Sequence, residues 1–121
     1  MSDSGKILIV DDEIDLCLLL KDYFVRLKYE VMIAHSLLEC GLLLKSYQPD
    51  ILFLDNNLPD GTGWNVAPVF ATDFPYLYIV LTSAFHPNIP EMPAKARFQV
   101  IEKPIGFADL DKQFANFKIP Q

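Results

Sequence analysis

The stretches Ile7-Leu8-Ile9-Val10-Asp11-Asp12 and Ile51-Leu52-Phe53-Leu54-Asp55 decide the reading of this chain, because each is a short apolar run that ends in acid. Unbroken runs of this length, rich in apolar and β-branched residues and followed by helix-patterned segments, read as buried parallel strands. Parallel strands of one sheet point their carboxyl ends the same way, so three carboxylates meet at one edge. At about 4 Å and an effective dielectric near 20, each like-charge contact costs roughly 4 kcal/mol. A proton or a cation must relieve that repulsion, and a divalent metal ion is the simplest choice.

Working outward, residues 6–10 form a first strand, and 14–27 carry the helical pattern Leu16, Leu19, Leu20, Tyr23, Phe24, Leu27, with Asp12 or Glu13 opening the helix. Residues 29–34 read as a second strand. Ser36 suits an N-cap, and 37–47 read as a second helix despite Gly41. The third strand, 51–54, leads into a turn-rich segment, 56–63. A third helix begins near Trp64 with Pro68 in its first turn. Residues 77–81 and 98–101 are the fourth and fifth strands, and 107–117 a closing helix. Between those two strands, Pro87, Pro90 and Pro93 stand three apart. Each interior proline costs a helix about 3 kcal/mol, so this interval is expected to be extended or irregular, with at most a turn or two after Pro90 or Pro93. Strand and helix otherwise alternate. With right-handed crossovers, the expectation is an α/β fold: a doubly wound, five-stranded parallel sheet of flavodoxin-like order 2-1-3-4-5 with a degenerate fourth helix.

The 121 residues, 51% of them hydrophobic, suit one domain spanning 1–121, with residues 1–5 expected to be disordered. A net charge of -6 and a pI of about 4.7 argue against nucleic-acid or anionic-lipid binding. The first six residues are too polar for a signal peptide and the apolar runs too short for a bilayer, so a soluble, cytoplasmic chain is expected. Cys17 and Cys40 lack zinc-site spacing and read as core thiols. His35 and His86 are isolated and read as surface or turn residues. Trp64 reads as a core anchor. Leu18-Leu19-Leu20 and Leu42-Leu43-Leu44 give their helices wide apolar faces, whose exposed remainder could serve a partner or a homodimer.

In the expected sheet order, the loops after the first and third strands diverge and leave a crevice. Asp11, Asp12 and Asp55 sit on those loops, and Thr82 and Lys103 end the fourth and fifth strands. A hard cation in octahedral geometry would take Asp12 and Asp55 directly, Asp11 through water, and a backbone carbonyl from the turn, that of Asn57. The added hydroxyl and ammonium suit phosphoryl transfer. The equatorial oxygens of the moving group would meet metal, Thr82 and Lys103 while Asp55 supplies the attacking oxygen. Each residue has an ordinary reading alone: helix caps for Asp11 and Asp12, a turn at 56–63, a strand threonine, an exposed lysine. Their joint order is what points to a site.

The residues Ile-Leu-Ile-Val-Asp-Asp-Glu (7–13), Leu-Asp-Asn-Asn-Leu-Pro-Asp-Gly (54–61), Val-Leu-Thr-Ser (80–83) and Glu-Lys-Pro (102–104) resemble the receiver domain of two-component response regulators. The resemblance covers nearly the whole chain. It implies Asp55 as phosphoacceptor, Asp11 and Asp12 as the acidic magnesium pair, and Asn57 as carbonyl ligand. It further implies Thr82 as switch hydroxyl, Lys103 as phosphate-binding lysine, and a cis Lys103-Pro104 bond. The phosphoryl group would come from a histidine kinase or a histidine phosphotransfer protein. The chain would then be no enzyme beyond its own phosphorylation and dephosphorylation, and would signal through protein contacts.

Three positions depart from the pattern. Val100 stands where the family usually has an aromatic switch, Ser83 follows Thr82 where alanine is common, and the proline interval replaces the fourth helix. Access to the phosphoryl site is expected to survive Ser83; Val100 and the proline interval motivate an alternative, a pseudo-receiver that binds partners without phospho-switching. A third class, the aspartyl phosphatases of the haloacid-dehalogenase type, wants a second acid two residues after the nucleophile, where this chain has Asn57.

Overall fold

The computed structural model describes residues 5–85 and 87–117. The elements run β1 (Gly5–Val10), α1 (Ile14–Arg26), β2 (Tyr29–Ala34), α2 (Leu37–Ser46), β3 (Ile51–Asp55), β4 (Asn57–Leu58), β5 (Gly61–Thr62), α3 (Gly63–Asp73), β6 (Tyr78–Ser83), β7 (Arg97–Glu102) and α4 (Phe107–Phe114). The five long strands form one parallel sheet, β2-β1-β3-β6-β7, which is the expected order 2-1-3-4-5. Ile7 to Val10 and Ile51 to Leu54 are buried on both faces, as central parallel strands require.

The two faces carry separate cores. On one, Ile7, Ile9, Ile51 and Phe53 meet α1 and α4 through Leu20, Phe24, Leu110 and Phe114. On the other, Leu8, Val10, Leu52 and Leu54 meet α2 and α3 through Cys40, Leu44, Trp64 and Ala67. Cys17 and Cys40 are buried free thiols, both pushed up to about 12, chiefly by desolvation. Among the described residues no helix is long and apolar enough to cross a membrane.

Local differences from the expectation have physical causes. Gly5, the last residue of the expected disordered start, belongs to β1, opposite Tyr29; the rest of that start, residues 1–4, and His86 lie outside the described residues. The turn at 56–63 contains a small antiparallel ladder, Asn57 opposite Thr62 and Leu58 opposite Gly61. Helix α3 starts at Gly63, which leaves Pro68 in its second turn. The start is set by Asn56, whose carbonyl accepts the Gly63 N–H at 2.8 Å and whose Oδ1 accepts the Trp64 N–H at 3.2 Å. Anchoring of this kind outweighs the one helical bond that Pro68 removes.

No helix occurs within residues 87–96, as the prolines require. A single turn closes from the Ala96 N–H to the Pro93 carbonyl, and Met92 and Ala96 lean on the second core. Helix α4 ends at Phe114 rather than 117, yet Phe117 still packs on Tyr78 and Phe114.

Phe24 is fully buried and makes ring contacts with Tyr23, Tyr29, Phe53 and Phe114. Phe24→Ala is expected to cost about 3–5 kcal/mol in urea unfolding, because α1, the sheet and α4 all lose the same contact.

Candidate functional site

The β1–β3 register aligns Val10 with Leu54, so the next residues, Asp11 and Asp55, emerge side by side at the carboxyl edge. Thr82 lies opposite Asp55 on β6. Asp11, Asp55 and Thr82 are buried, while Asp12 is exposed at the mouth. Oxygens of Asp11, Asp12 and Asp55 all lie within 4.8 Å of one another, an arrangement that could hold a metal ion. The donors are hard carboxylate oxygens, the kind magnesium and calcium take. Asn57 opens β4 two residues beyond Asp55.

Lys103, joined to Pro104 by a cis peptide bond, reaches back into this edge. Its Nζ lies 3.0 Å from Asp11 Oδ2 and 3.3 Å from Asp55 Oδ1, and it also donates to Glu13 Oε2. The sequence placed Lys103 here. Glu13 is an addition, since residue type and position give it no role beyond opening the helix. Its backbone does open α1, with the Glu13 N–H donating to Asp11 Oδ1 at 2.9 Å, while its side chain shares the lysine.

The backbone around the site is tied down from several sides. The Thr82 carbonyl accepts from the Asn56 N–H at 3.1 Å and from Trp64 Nε1 at 3.2 Å, so Trp64 is a core anchor with one polar link to the crevice. Ser83 is buried. Its carbonyl accepts the Lys103 N–H at 3.0 Å and its Oγ the Phe85 N–H at 3.2 Å. Gly63 approaches Asp55 so closely that a Cβ there would stand 2.0 Å from the Asp55 carbonyl oxygen. Only glycine fits, a requirement hidden in a stretch that read simply as a turn.

Burial raises the Asp55 carboxyl to about 6, and the neighbouring Asp11 charge adds to it; Lys103 opposes both. Asp11 is raised as well, mainly by burial, with the Glu13 amide and Lys103 pulling it back. Burial by itself would lower the Lys103 ammonium, but its bonds to Glu13 and Asp11 and the charges of Asp11 and Asp55 outweigh that and raise it. The edge therefore holds an anionic oxygen cluster around one ammonium. Such a cluster can bind a cation and present a carboxylate oxygen as a nucleophile.

A model of the family described as response regulator receiver domain matches residues 7–115, and the chain belongs to that family. Among curated proteins it is similar to the transcriptional regulatory protein DpiA of Escherichia coli (strain K12) and of Shigella flexneri, 25% identical in each case over 116 residues. That alignment covers 93% of this chain and 51% of the relative, so the chain spans about half the length of the curated relatives it matches. Among solved structures it is similar to the signal receiver domain of a DNA binding response regulator from Colwellia psychrerythraea 34H. The TM-score is 0.78 at 19% identity, over 91% of this chain and 94% of that one. NtrX from Brucella abortus matches with a TM-score of 0.73 at 26% identity, over 88% of this chain and 25% of that one. A CheY-like receiver from Methanospirillum hungatei JF-1 matches with a TM-score of 0.75 at 22% identity, over 91% and 90%.

A carboxyl raised on folding favours the fold fully below its unfolded value, 3.8, and loses that contribution as pH rises through about 6. Asp55→Asn in metal-free buffer is therefore expected to stabilise the protein at pH 8 by on the order of 2 kcal/mol, with the gain vanishing towards pH 4. Urea midpoints across that range check it. Gly63→Ala is expected to cost roughly 1–3 kcal/mol in the same assay, because a backbone atom rather than a rotatable side chain must move.

Proposed function

We propose that this chain is a phosphoacceptor receiver that takes a phosphoryl group onto Asp55 from a phosphohistidine of a histidine kinase or phosphotransfer protein. The observation that carries the reading is the meeting of Asp11, Asp12, Asp55, Thr82 and Lys103 at one sheet edge, with Lys103 Nζ 3.3 Å from Asp55 Oδ1. An Asp55 carboxylate oxygen attacks phosphorus, the phosphorus–nitrogen bond breaks, and the imidazole leaves with its electron pair and is protonated. Lys103 and Thr82 bind the phosphoryl oxygens, while the buried edge excludes competing water. Magnesium fits the donor set and would be held by Asp11, Asp12, Asp55 and the Asn57 carbonyl. When bound it would supply charge neutralisation for the carboxylates and the incoming oxygens.

A hollow of about 910 Å³ beside the site, lined in part by Asp12, Glu13, Ile14, Leu16, Pro104 and Ile105, gives a phosphodonor protein an apolar seat next to the acids. In this reading the chain turns over no separate substrate, works in the cytoplasm, and passes its signal on through protein contacts. A homodimer is one form such a contact can take.

One feature favours the pseudo-receiver as a second reading: the side that would report phosphorylation lacks a helix at 87–96 and carries Val100, 39% exposed, in place of an aromatic ring. The two readings separate in one experiment. With magnesium and either acetyl phosphate or beryllofluoride, the expected result is an adduct at Asp55, abolished in Asp55→Asn, with amide shifts that extend beyond the crevice to residues 87–101. A phosphoprotein signal that survives in Asp55→Asn, or no adduct at all, defeats the proposal. An adduct whose shifts stay within the crevice favours the pseudo-receiver.

A further inference from the structure

Both loops that carry the candidate metal ligands are tied to the junction between β2 and α2, the first at Ala34 and His35 and the second at the first turn of α2. From the first loop, the Asp11 N–H donates to the Ala34 carbonyl at 3.2 Å, and the Asp11 carbonyl lies 2.9 Å from His35 Nδ1. From the second, Asp60 turns its carboxylate onto the first turn of the helix. The Leu37 N–H donates to Oδ1 at 2.8 Å and the Leu38 N–H to Oδ2 at 3.0 Å. These amides have no partner within the helix, and the helix dipole favours an anion beside them. They hold the Asp60 carboxyl below its ordinary range.

Ser36 serves as the N-cap, its Oγ accepting the Glu39 N–H at 3.2 Å, and Asp60 takes two further amides of the first turn. Asp60 comes from more than twenty residues away, in the link between β4 and β5, and Asn57 begins that small ladder. The link also lies hard against the helix, since a Cβ on Gly61 would stand 2.9 Å from Leu37 Cδ1. The ladder cannot slide along α2 without breaking two charge-assisted hydrogen bonds.

We infer that Asp60 is a positioning residue for the cation site. It latches the Asn57 ladder to the first turn of α2, and Ala34 and His35, which lead into that turn, hold the Asp11 loop, so the spacing of the two ligand-bearing loops is set across the junction between β2 and α2. The inference rests on the metal reading proposed above. By linkage, cation binding and the two Asp60 bonds to the Leu37 and Leu38 amides reinforce each other, whereas the Ser36 cap on the Glu39 N–H lies outside that pair.

The test uses the full chain, Mg2+ alone as probe, and the fluorescence of Trp64, the one tryptophan in the sequence, which is bonded to the Thr82 carbonyl. Amide shifts at residues 11–13 and 55–57 provide a second report of binding. Asp60→Ala is expected to weaken Mg2+ binding about tenfold or more, the usual loss when a partner behind the ligands is removed. Asp60→Asn, which keeps one acceptor oxygen, falls between, and it carries the comparison if Asp60→Ala does not fold. Mg2+ is expected to slow hydrogen exchange at Leu37 and Leu38 in the parent protein and not in Asp60→Ala. Ser36→Ala weakens the same helix without touching either ligand loop, so it is expected to lower the urea midpoint and leave Mg2+ affinity unchanged. Equal Mg2+ affinity in the parent and the folded Asp60 variants overturns the positioning role and leaves the metal site standing. An equal loss in Ser36→Ala overturns it too, because helix stability would then be the cause. No response to Mg2+ in the parent protein, by either report, overturns the metal reading and this inference with it.

Discussion

The side-by-side burial of β1 and β3 is the constraint on which the rest of the molecule depends. Ile7 pairs with Ile51, and the register runs unbroken to Val10 and Leu54, with all eight side chains at or near zero exposure. Burying an aliphatic or aromatic side chain of this size is worth roughly 1.5–3 kcal/mol. Eight of them outweigh the roughly 4 kcal/mol of a like-charge contact at the strand ends. Hydrophobic burial therefore forces Asp11 and Asp55 together, and the fold keeps an electrostatic fault at its edge because its core demands that register.

Lys103 relieves the fault in part. A single ammonium serves Asp11, Glu13 and Asp55, yet Asp55 still stands near 6, which shows that one positive charge does not fully compensate the burial. The edge accordingly favours further positive charge, and that demand makes the same residues suited to a cation and to charge-neutralised phosphoryl transfer. Binding capacity and instability at this edge have one origin. Rigidity comes from groups outside the cluster: Asn56 at the start of α3, Trp64 on the Thr82 carbonyl, Gly63 against the Asp55 backbone, and Asp60 on α2.

The opposite side of the sheet edge is built differently. After β6 the chain leaves through Ser83, none of the described residues between there and β7 is helical, and Met92 and Ala96 rest on the core. A hollow of about 160 Å³ remains among Trp64, Ser83, Pro87, Ile89, Val100 and Glu102. Three prolines prevent a regular helix from covering that space, and Val100 is too small to fill it. The chemistry proposed for Asp55 and the surface that would report it thus rest on separate residues.

Much of this was legible in the residue order. Apolar runs buried on both faces announce parallel strands whatever surrounds them, and acids placed just after such runs must share an edge, so the sheet order and the grouping of Asp11, Asp12, Asp55, Thr82 and Lys103 follow from local patterns and from resemblance to a receiver. Proline chemistry is equally local, which is why the missing helix could be anticipated. Glu13, Gly63, Asn56 and Asp60 were not legible in the same way. Each looks like an ordinary cap or turn residue, and each acquires its role from a group distant in sequence or from a backbone that only the folded chain brings within reach. Periodicity and residue type determine which face is buried and where charge collects; only the tertiary structure decides which carboxylate shares the lysine, which glycine admits no side chain, and which aspartate ties one loop to another helix. Those outcomes depend on distances between segments, and a linear pattern carries no distance.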